Sequence, residues 1–142
     1  MRHITRGIKN THPGQDLIGI DNEFHKLYIA KHWIAQNADY ALCEADLSLP
    51  FEENYFAGMI CSNSFHFFNN KSLCSRELKR ITSDSGQIII TAIRHDLHKY
   101  QNQKTLSIKC YQSLFKDFPL RIVPDSMILS RYLRKTGPAL KH

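Results

Sequence analysis

No apolar run in this 142-residue chain approaches the roughly 20 residues that a bilayer-spanning helix needs. The N-terminus, Met1-Arg2-His3-Ile4-Thr5-Arg6-Gly7, lacks the apolar core of a signal peptide, so a cytoplasmic protein without membrane association is expected. No CxxC pair occurs. The cysteines stand singly at 43, 61, 74 and 110, which argues against a zinc or dithiol redox site. Cys43 and Cys61 fall in apolar strand patterns and Cys74 and Cys110 on helical ones. All four are expected to be buried reduced thiols. Internal repeats, low-complexity tracts and an arginine-rich arm are missing as well.

What is present suits one globular domain spanning 1–142. Hydrophobic residues make up 42% and charged residues 23% of the chain, ordinary proportions for a domain with its own core. The formal charge of +6, with eight histidines besides, favours anionic partners or substrates, such as RNA or a phosphorylated molecule. The charge is dispersed, so a solvated basic surface is the plainer explanation.

Residues 2–12 suit a short helix, with Ile4 and Ile8 one turn apart, ended by Pro13-Gly14. Asp16–Asp21 reads as a short strand buried on both faces. Glu23–Gln36 carries Phe24, Leu27, Tyr28, Trp33 and Ile34 at helical spacing. Strands are expected over Asp39–Asp46 and Phe56–Ser62. A helix capped by Asn69 or Asn70 then runs to about Thr82, with Cys74, Leu78 and Ile81 on one stripe. Asp84-Ser85-Gly86 suggests a turn. Gln87–Ile93 is the strongest strand, its Ile88-Ile89-Ile90 β-branched throughout. A polar segment leads to a helix near Leu106–Phe118. Leu120–Leu133 is ambiguous between strand and helix.

Strands alternating with helices argue for an α/β fold with a mainly parallel sheet and helices on both faces. Ligands bind such sheets at the carboxyl ends of strands. Asp21, Asp46 and Ser62-Asn63 all fall at those ends. The plainer role for either aspartate is a turn or helix cap.

The order of motifs resembles that of class I S-adenosylmethionine-dependent methyltransferases, most closely the type 11 methyltransferase domain. Carrying the resemblance are Ile18-Gly19-Ile20-Asp21, Ala45-Asp46-Leu47-Ser48-Leu49-Pro50-Phe51, Asn54-Tyr55-Phe56, Arg76-Glu77-Leu78-Lys79-Arg80 and Gly86-Gln87-Ile88-Ile89-Ile90. It covers about 17–93 and implies a Rossmann-like three-layer fold with S-adenosylmethionine as cofactor. It implies that Asp21, with Asn22 beside it, holds the ribose hydroxyls. Asp46 would meet the adenine amine, and the Leu47 N–H a ring nitrogen. Ser62 would border the cofactor, and Asn63 and His66 would face the methyl acceptor. His66 is the candidate general base, because imidazole titrates near neutral pH. A histidine with one local hydrogen bond at a helix entry is the plainer alternative. Of Phe65, Phe67 and Phe68, at least two are expected in the core. The His95-Asp96-Leu97-His98 run makes a poor metal site, and no metal is expected, since methyl transfer from a sulfonium needs none.

Two positions depart from the family pattern. Phe56-Ala57 stands where Phe-Asp is usual. The strand and Gly-x-Gly loop that open the family's fold, where only glycine allows close backbone approach to the cofactor, have no counterpart before Asp16. That strand lies mid-sheet, between the Asp16 and Phe56 strands. A central strand contributes roughly 6–12 kcal/mol through its apolar side chains, comparable to a whole domain's stability. The expectation is therefore an N-terminally truncated domain. It must pair those two strands directly, borrow a strand from a partner (a homo-oligomer completing the sheet), or fold marginally. Functionally this leaves a methyltransferase acting on a small molecule or RNA, or an inactive remnant serving as an interaction module. A dehydrogenase would need the same glycine loop and leaves Asp46–Phe51 unexplained.

Overall fold

The computed structural model describes residues 2–94, 96 and 105–134. Its elements alternate as the apolar periodicity requires: α1 (Arg2–Thr11), β1 (Ile18–Asp21), α2 (Phe24–Ile29), β2 (Asp39–Leu42), β3 (Phe56–Ser62), α3 (Lys71–Ile81), β4 (Thr82–Thr91), α4 (Ile108–Leu114) and α5 (Asp125–Leu133). The ambiguous C-terminal stretch divides, with Pro119–Pro124 outside any helix or strand and α5 after it. Among the described residues no helix is long and apolar enough to cross a membrane.

The strands form two parallel pairs. β1 pairs with β2, Ile18 opposite Asp39 and Asp21 opposite Leu42. β3 pairs with β4, Gly58 opposite Gln87 and Ser62 opposite Thr91. Among the described residues no ladder joins the pairs. Direct pairing of the Asp16 and Phe56 strands, one of the three expected ways of closing the sheet, therefore does not occur.

Several boundaries move for local reasons. β2 stops at Leu42 because the chain turns at Glu44, whose carbonyl accepts from the Leu47 N–H at 3.0 Å. β4 begins at Thr82 rather than Gln87. The expected Asp84-Ser85-Gly86 turn survives as an irregularity inside it, between the pairs Phe56–Thr82 and Gly58–Gln87. Gly86 is required there: a Cβ would lie 2.9 Å from the Ser83 carbonyl and 3.0 Å from that of Ala57. The α2 helix passes into a π-helical turn over Ala30–Ile34, closed by Ala35 N–H to the Ala30 carbonyl at 2.9 Å. Of its apolar stripe, Leu27 is buried, while Phe24 and Trp33 are each 68% exposed. Those rings pack on Tyr28 instead, at centroid distances of 6.1 and 5.7 Å.

The main core lies on one side of β3–β4. Phe65, Cys74, Leu78, Tyr111 and Phe115 form its centre, with Met59, Cys61, Ile88 and Ile90 packed on it from the strands. Phe68 also packs there and Phe67 is exposed, so two of the three phenylalanines are core residues as expected. Burial pushes the Cys61 thiol up to about 11 and the Cys74 thiol up to about 12. Cys110 is exposed and Cys43 and Cys61 are half-buried, so of the four thiols expected to be buried Cys74 is; Cys110 sits on the outer side of the short α4, whose inward residue is Tyr111.

His66 is a further correction. It follows Phe65 in a 3₁₀ turn (Phe65–Phe67), is fully buried, and neither ring nitrogen has a hydrogen-bond partner. It lacks the local hydrogen bond of the plainer alternative. Burial, then the charges of Arg94 and Lys71, hold its pKa below the ordinary histidine value.

A strap ties the two sheet halves together. The Asp46 carboxylate accepts from the backbone N–H of Asn69 (3.0 Å) and Asn70 (2.8 Å) at the start of α3. One loop later, the Glu77 carboxylate accepts from Leu49 N–H (2.8 Å) and Ser48 Oγ (3.1 Å). Arg80 makes two hydrogen bonds to Glu77 and donates to the carbonyls of Phe51 (2.8 Å) and Leu49 (3.0 Å). The Ser48–Phe51 backbone thus finds partners in helix side chains instead of in a sheet.

Two acid-stability predictions follow from these buried groups. The Arg80 hydrogen bonds dominate a set that lowers the Glu77 pKa to about 2, against burial. A folded pKa below the unfolded value adds stability that is complete above about 4.5 and disappears as pH falls toward 2, roughly 3 kcal/mol in all. Glu77→Gln should lower the urea midpoint at neutral pH and flatten its decline across that window. For His66 the folded pKa is again depressed, so stability falls as pH drops below about 6.5. His66→Leu should remove that dependence, measured as urea midpoints between about pH 7.5 and 5, at little cost because no hydrogen bond is lost.

Candidate functional site

The carboxyl ends of β1 and β3 border one cavity of about 230 Å³. Asp21 ends β1. Ser62 ends β3, and Asn63 and Ser64 continue from it into the cavity wall. Thr5 of α1 and Lys26, Leu27 and Ala30 of the α2 segment close another side, with Tyr40 of β2. Residues 41 positions apart in sequence thus meet at one opening, although their strands share no ladder.

Local structure places each of these groups. Asp21 Oδ1 accepts from the Glu23 N–H at 3.1 Å, which turns the chain into α2. Its other oxygen takes no hydrogen bond from the described residues. Lys26 also lies on the wall, and its ammonium is held by the Glu23 carboxylate. That hydrogen bond is the main reason the Glu23 carboxyl lies below its usual range. Tyr40 reaches the cavity because Gly19 opposite it has no side chain: a Cβ there would lie 2.7 Å from the Tyr40 ring. The phenol donates to the Ala35 carbonyl at 3.1 Å.

The Ser62–Ser64 corner is shaped by backbone conformation. Asn63 has φ of 50°, the left-handed region that asparagine tolerates better than most residues. Its N–H donates to the Thr91 carbonyl at 3.1 Å. Ser64 Oγ donates to the Ser62 carbonyl at 2.8 Å, and Thr91 Oγ1 donates to Ser62 Oγ at 3.1 Å. Ala92, just past β4, has φ of 53°, a costlier conformation for a residue with no polar side chain. Nothing in the local sequence signals it.

Other sequence candidates stand outside the cavity wall. Asn22 donates from Nδ2 to Glu44 Oε2 at 3.0 Å on the exposed side of the loop. The Leu47 N–H is taken by the Glu44 carbonyl and its side chain is exposed. Asp46 faces α3. Its burial would raise the carboxyl pKa, but hydrogen bonds from Asn70 and Asn69 outweigh that and hold it below the usual range. His66 is buried and is not among the residues that line the cavity. Of the His95–His98 run, only Asp96 falls within the described residues, and no group of metal-binding side chains occurs among them.

Sequence reasoning missed Thr5, Lys26 and Tyr40. The only available signal was Gly19, whose missing Cβ admits Tyr40. Lys26 and Thr5 carry no mark in the sequence, because α1 and α2 reach the cavity only through packing.

The arrangement can accept hydrogen bonds from a diol at Asp21 and present small polar groups beside it at Ser62–Ser64. The residues implied for the adenine end, Asp46 and Leu47, have their polar groups engaged elsewhere.

Comparisons with known proteins agree with this architecture. The family model described as methyltransferase domain matches residues 3–90. A search of curated proteins returns no match. Among solved structures, the chain resembles the complex of the Haloferax volcanii Trm112 methyltransferase activator with a methyltransferase (TM-score 0.72, 16% identity, 84% of this chain and 57% of that one). A methyltransferase of Bacillus halodurans C-125 is similar (TM-score 0.69, 16% identity, 81% and 56%). So is an S-adenosylmethionine-dependent methyltransferase of Thermotoga maritima (TM-score 0.60, 17% identity, 71% and 53%). The chain therefore spans little more than half the length of these structures, and identities this low show the fold alone. With a family match over most of the chain and a parallel α/β fold beneath it, the chain belongs to the methyltransferase-domain family.

Proposed function

We propose that the cavity holds the ribose end of S-adenosylmethionine and that the domain serves methyl transfer to an anionic acceptor, a small molecule or RNA. One observation carries the reading. Asp21 lies at a strand's carboxyl end, on the cavity wall, with one oxygen turned to Glu23 N–H and the other available. A ribose hydroxyl donating to that oxygen forms a charge-assisted hydrogen bond worth about 1.5–3 kcal/mol. Bound S-adenosylmethionine supplies a methyl group on a sulfonium for in-line transfer. This chain's own part is to bind and orient: Asp21 at the ribose, Ser62 beside it, and Asn63 with Ser64 toward the acceptor. Asp46 serves the adenine end only by giving up its bonds to Asn69 and Asn70. The charge of +6 supports the anionic acceptor.

The cavity, about 230 Å³, is smaller than the roughly 300–1,000 Å³ of usual ligand sites. It accommodates part of such a cofactor. That observation, with the divided sheet, favours a second reading, an inactive methyltransferase-like interaction module.

Calorimetric titration with S-adenosylhomocysteine separates the two. The first reading expects a saturable heat, with affinity falling at least about tenfold in Asp21→Ala, as the loss of one charged hydrogen bond implies. Unchanged affinity in the variant would reduce Asp21 to a turn residue. No heat at millimolar ligand would favour the interaction module.

A further inference from the structure

We infer that Thr91 is a positioning residue for the cavity: it holds the Ser62 hydroxyl in one rotamer with its proton left for a bound ligand, which makes Ser62 a hydrogen-bond donor in the site that Asp21 supplies with an acceptor. Ser62 and Thr91 face each other on the last rung of the β3–β4 ladder. Side chains alternate along a strand. Cys61 and Ile90, one residue earlier, pack on the core, so Ser62 and Thr91 project from the other side of the pair. There Thr91 Oγ1 donates to Ser62 Oγ at 3.1 Å.

The direction of that bond follows from where the two hydroxyls sit. Each has one proton to donate and two lone pairs with which to accept. Ser62 is among the residues that line the cavity, and Thr91 is not. Were Ser62 the donor, the Thr91 proton would be left without a partner away from the opening. With Thr91 donating, the proton left over belongs to Ser62. It takes no acceptor among the described residues, and it sits where a ligand can accept it.

Thr91 grips the same corner a second time through its backbone. Its carbonyl accepts from the Asn63 N–H at 3.1 Å, while Ser64 Oγ closes back on the Ser62 carbonyl at 2.8 Å. Both strands turn left-handed one residue past the rung, at Asn63 (φ 50°) and Ala92 (φ 53°). Alanine adopts that conformation at a cost, and such strain persists where the surrounding structure fixes it, commonly at ligand sites. Here it falls directly after Thr91, the last residue of β4, beside the corner that Thr91 holds. The donor role rests on the proposed reading of the cavity as a cofactor site; the hold of Thr91 on Ser62 does not.

Two measurements on the full chain test the two parts. In NMR the Hα–Hβ couplings of Ser62 should report one staggered χ1 rotamer in the parent chain and in Thr91→Ser. They should report an average over rotamers in Thr91→Val, which keeps the shape of the side chain and removes its hydroxyl. An averaged Ser62 in the parent, or a single rotamer in Thr91→Val, overturns the inference. In titration with S-adenosylhomocysteine, Thr91→Val should weaken binding about threefold, as three staggered wells replace one. Ser62→Ala should weaken it about two- to tenfold, the worth of one neutral hydrogen bond. Thr91→Ser should bind as the parent does. In a Ser62→Ala background Thr91→Val should change nothing further, because the two residues act as one unit. Equal losses in both backgrounds, or a Thr91→Ser chain as weak as Thr91→Val, overturn the inference. A parent chain that gives no heat while its Ser62 couplings behave as expected supports the hold of Thr91 on Ser62 and removes the cofactor reading instead.

Discussion

The Glu77 carboxylate is the point on which the connection between the two sheet halves depends. It is nearly buried, and it collects a backbone N–H, a serine hydroxyl and the Arg80 guanidinium. Arg80 then reaches past it to two loop carbonyls. A buried charge of this kind is stable only while its partners stay in place, since losing one leaves the other unpaired. The loop must therefore follow α3, and α3 sits on the β3–β4 core. With Asp46 fastening the other end to Asn69 and Asn70, the chain between the two strand pairs is held along nearly the whole length of one helix. In a continuous sheet the strands would set this alignment. Here side-chain hydrogen bonds set it.

That arrangement decides what the cavity can be. Bringing Asp21 and Ser62 to one opening requires the two strand pairs to be aligned, and the strap helps to align them. It also uses Asp46, which makes one residue serve the fold where the family resemblance implies a place at the ligand. Asp21 is different: it lines the cavity, and its turn hydrogen bond uses one of its two oxygens. Asp21 ends its strand while Asp46 lies four residues beyond β2, past the turn at Glu44, and their surroundings give them unlike duties.

The uneven covering of β3–β4 has the same origin. Burying the Met59–Ile90 side supplies most of the aromatic core, through Phe65, Tyr111 and Phe115. On the opposite side Ile60 and Ile89 are 37% and 47% exposed. Apolar surface left in water forfeits about 25 cal/mol for each Å².

By itself the sequence determined the element order, because apolar periodicity is local. Ile88-Ile89-Ile90 could only be a strand, Asn70 could cap α3 through its own side chain at 3.0 Å from Leu73 N–H, and Asp21 and Ser62 had to fall at strand ends. It also carried the motif order by which the family is recognised. Tertiary structure decided the rest, because those outcomes depend on contacts between distant residues. Which side of α2 would be buried depended on how many strands lay beneath it, so Phe24 and Trp33 face water despite their spacing. Whether Asp46 met a ligand or α3 depended on the path of a loop held by Glu77, nearly thirty residues away. A carboxylate's hydrogen-bonding capacity is written in the sequence, but which donors fill it is settled only when the chain has packed.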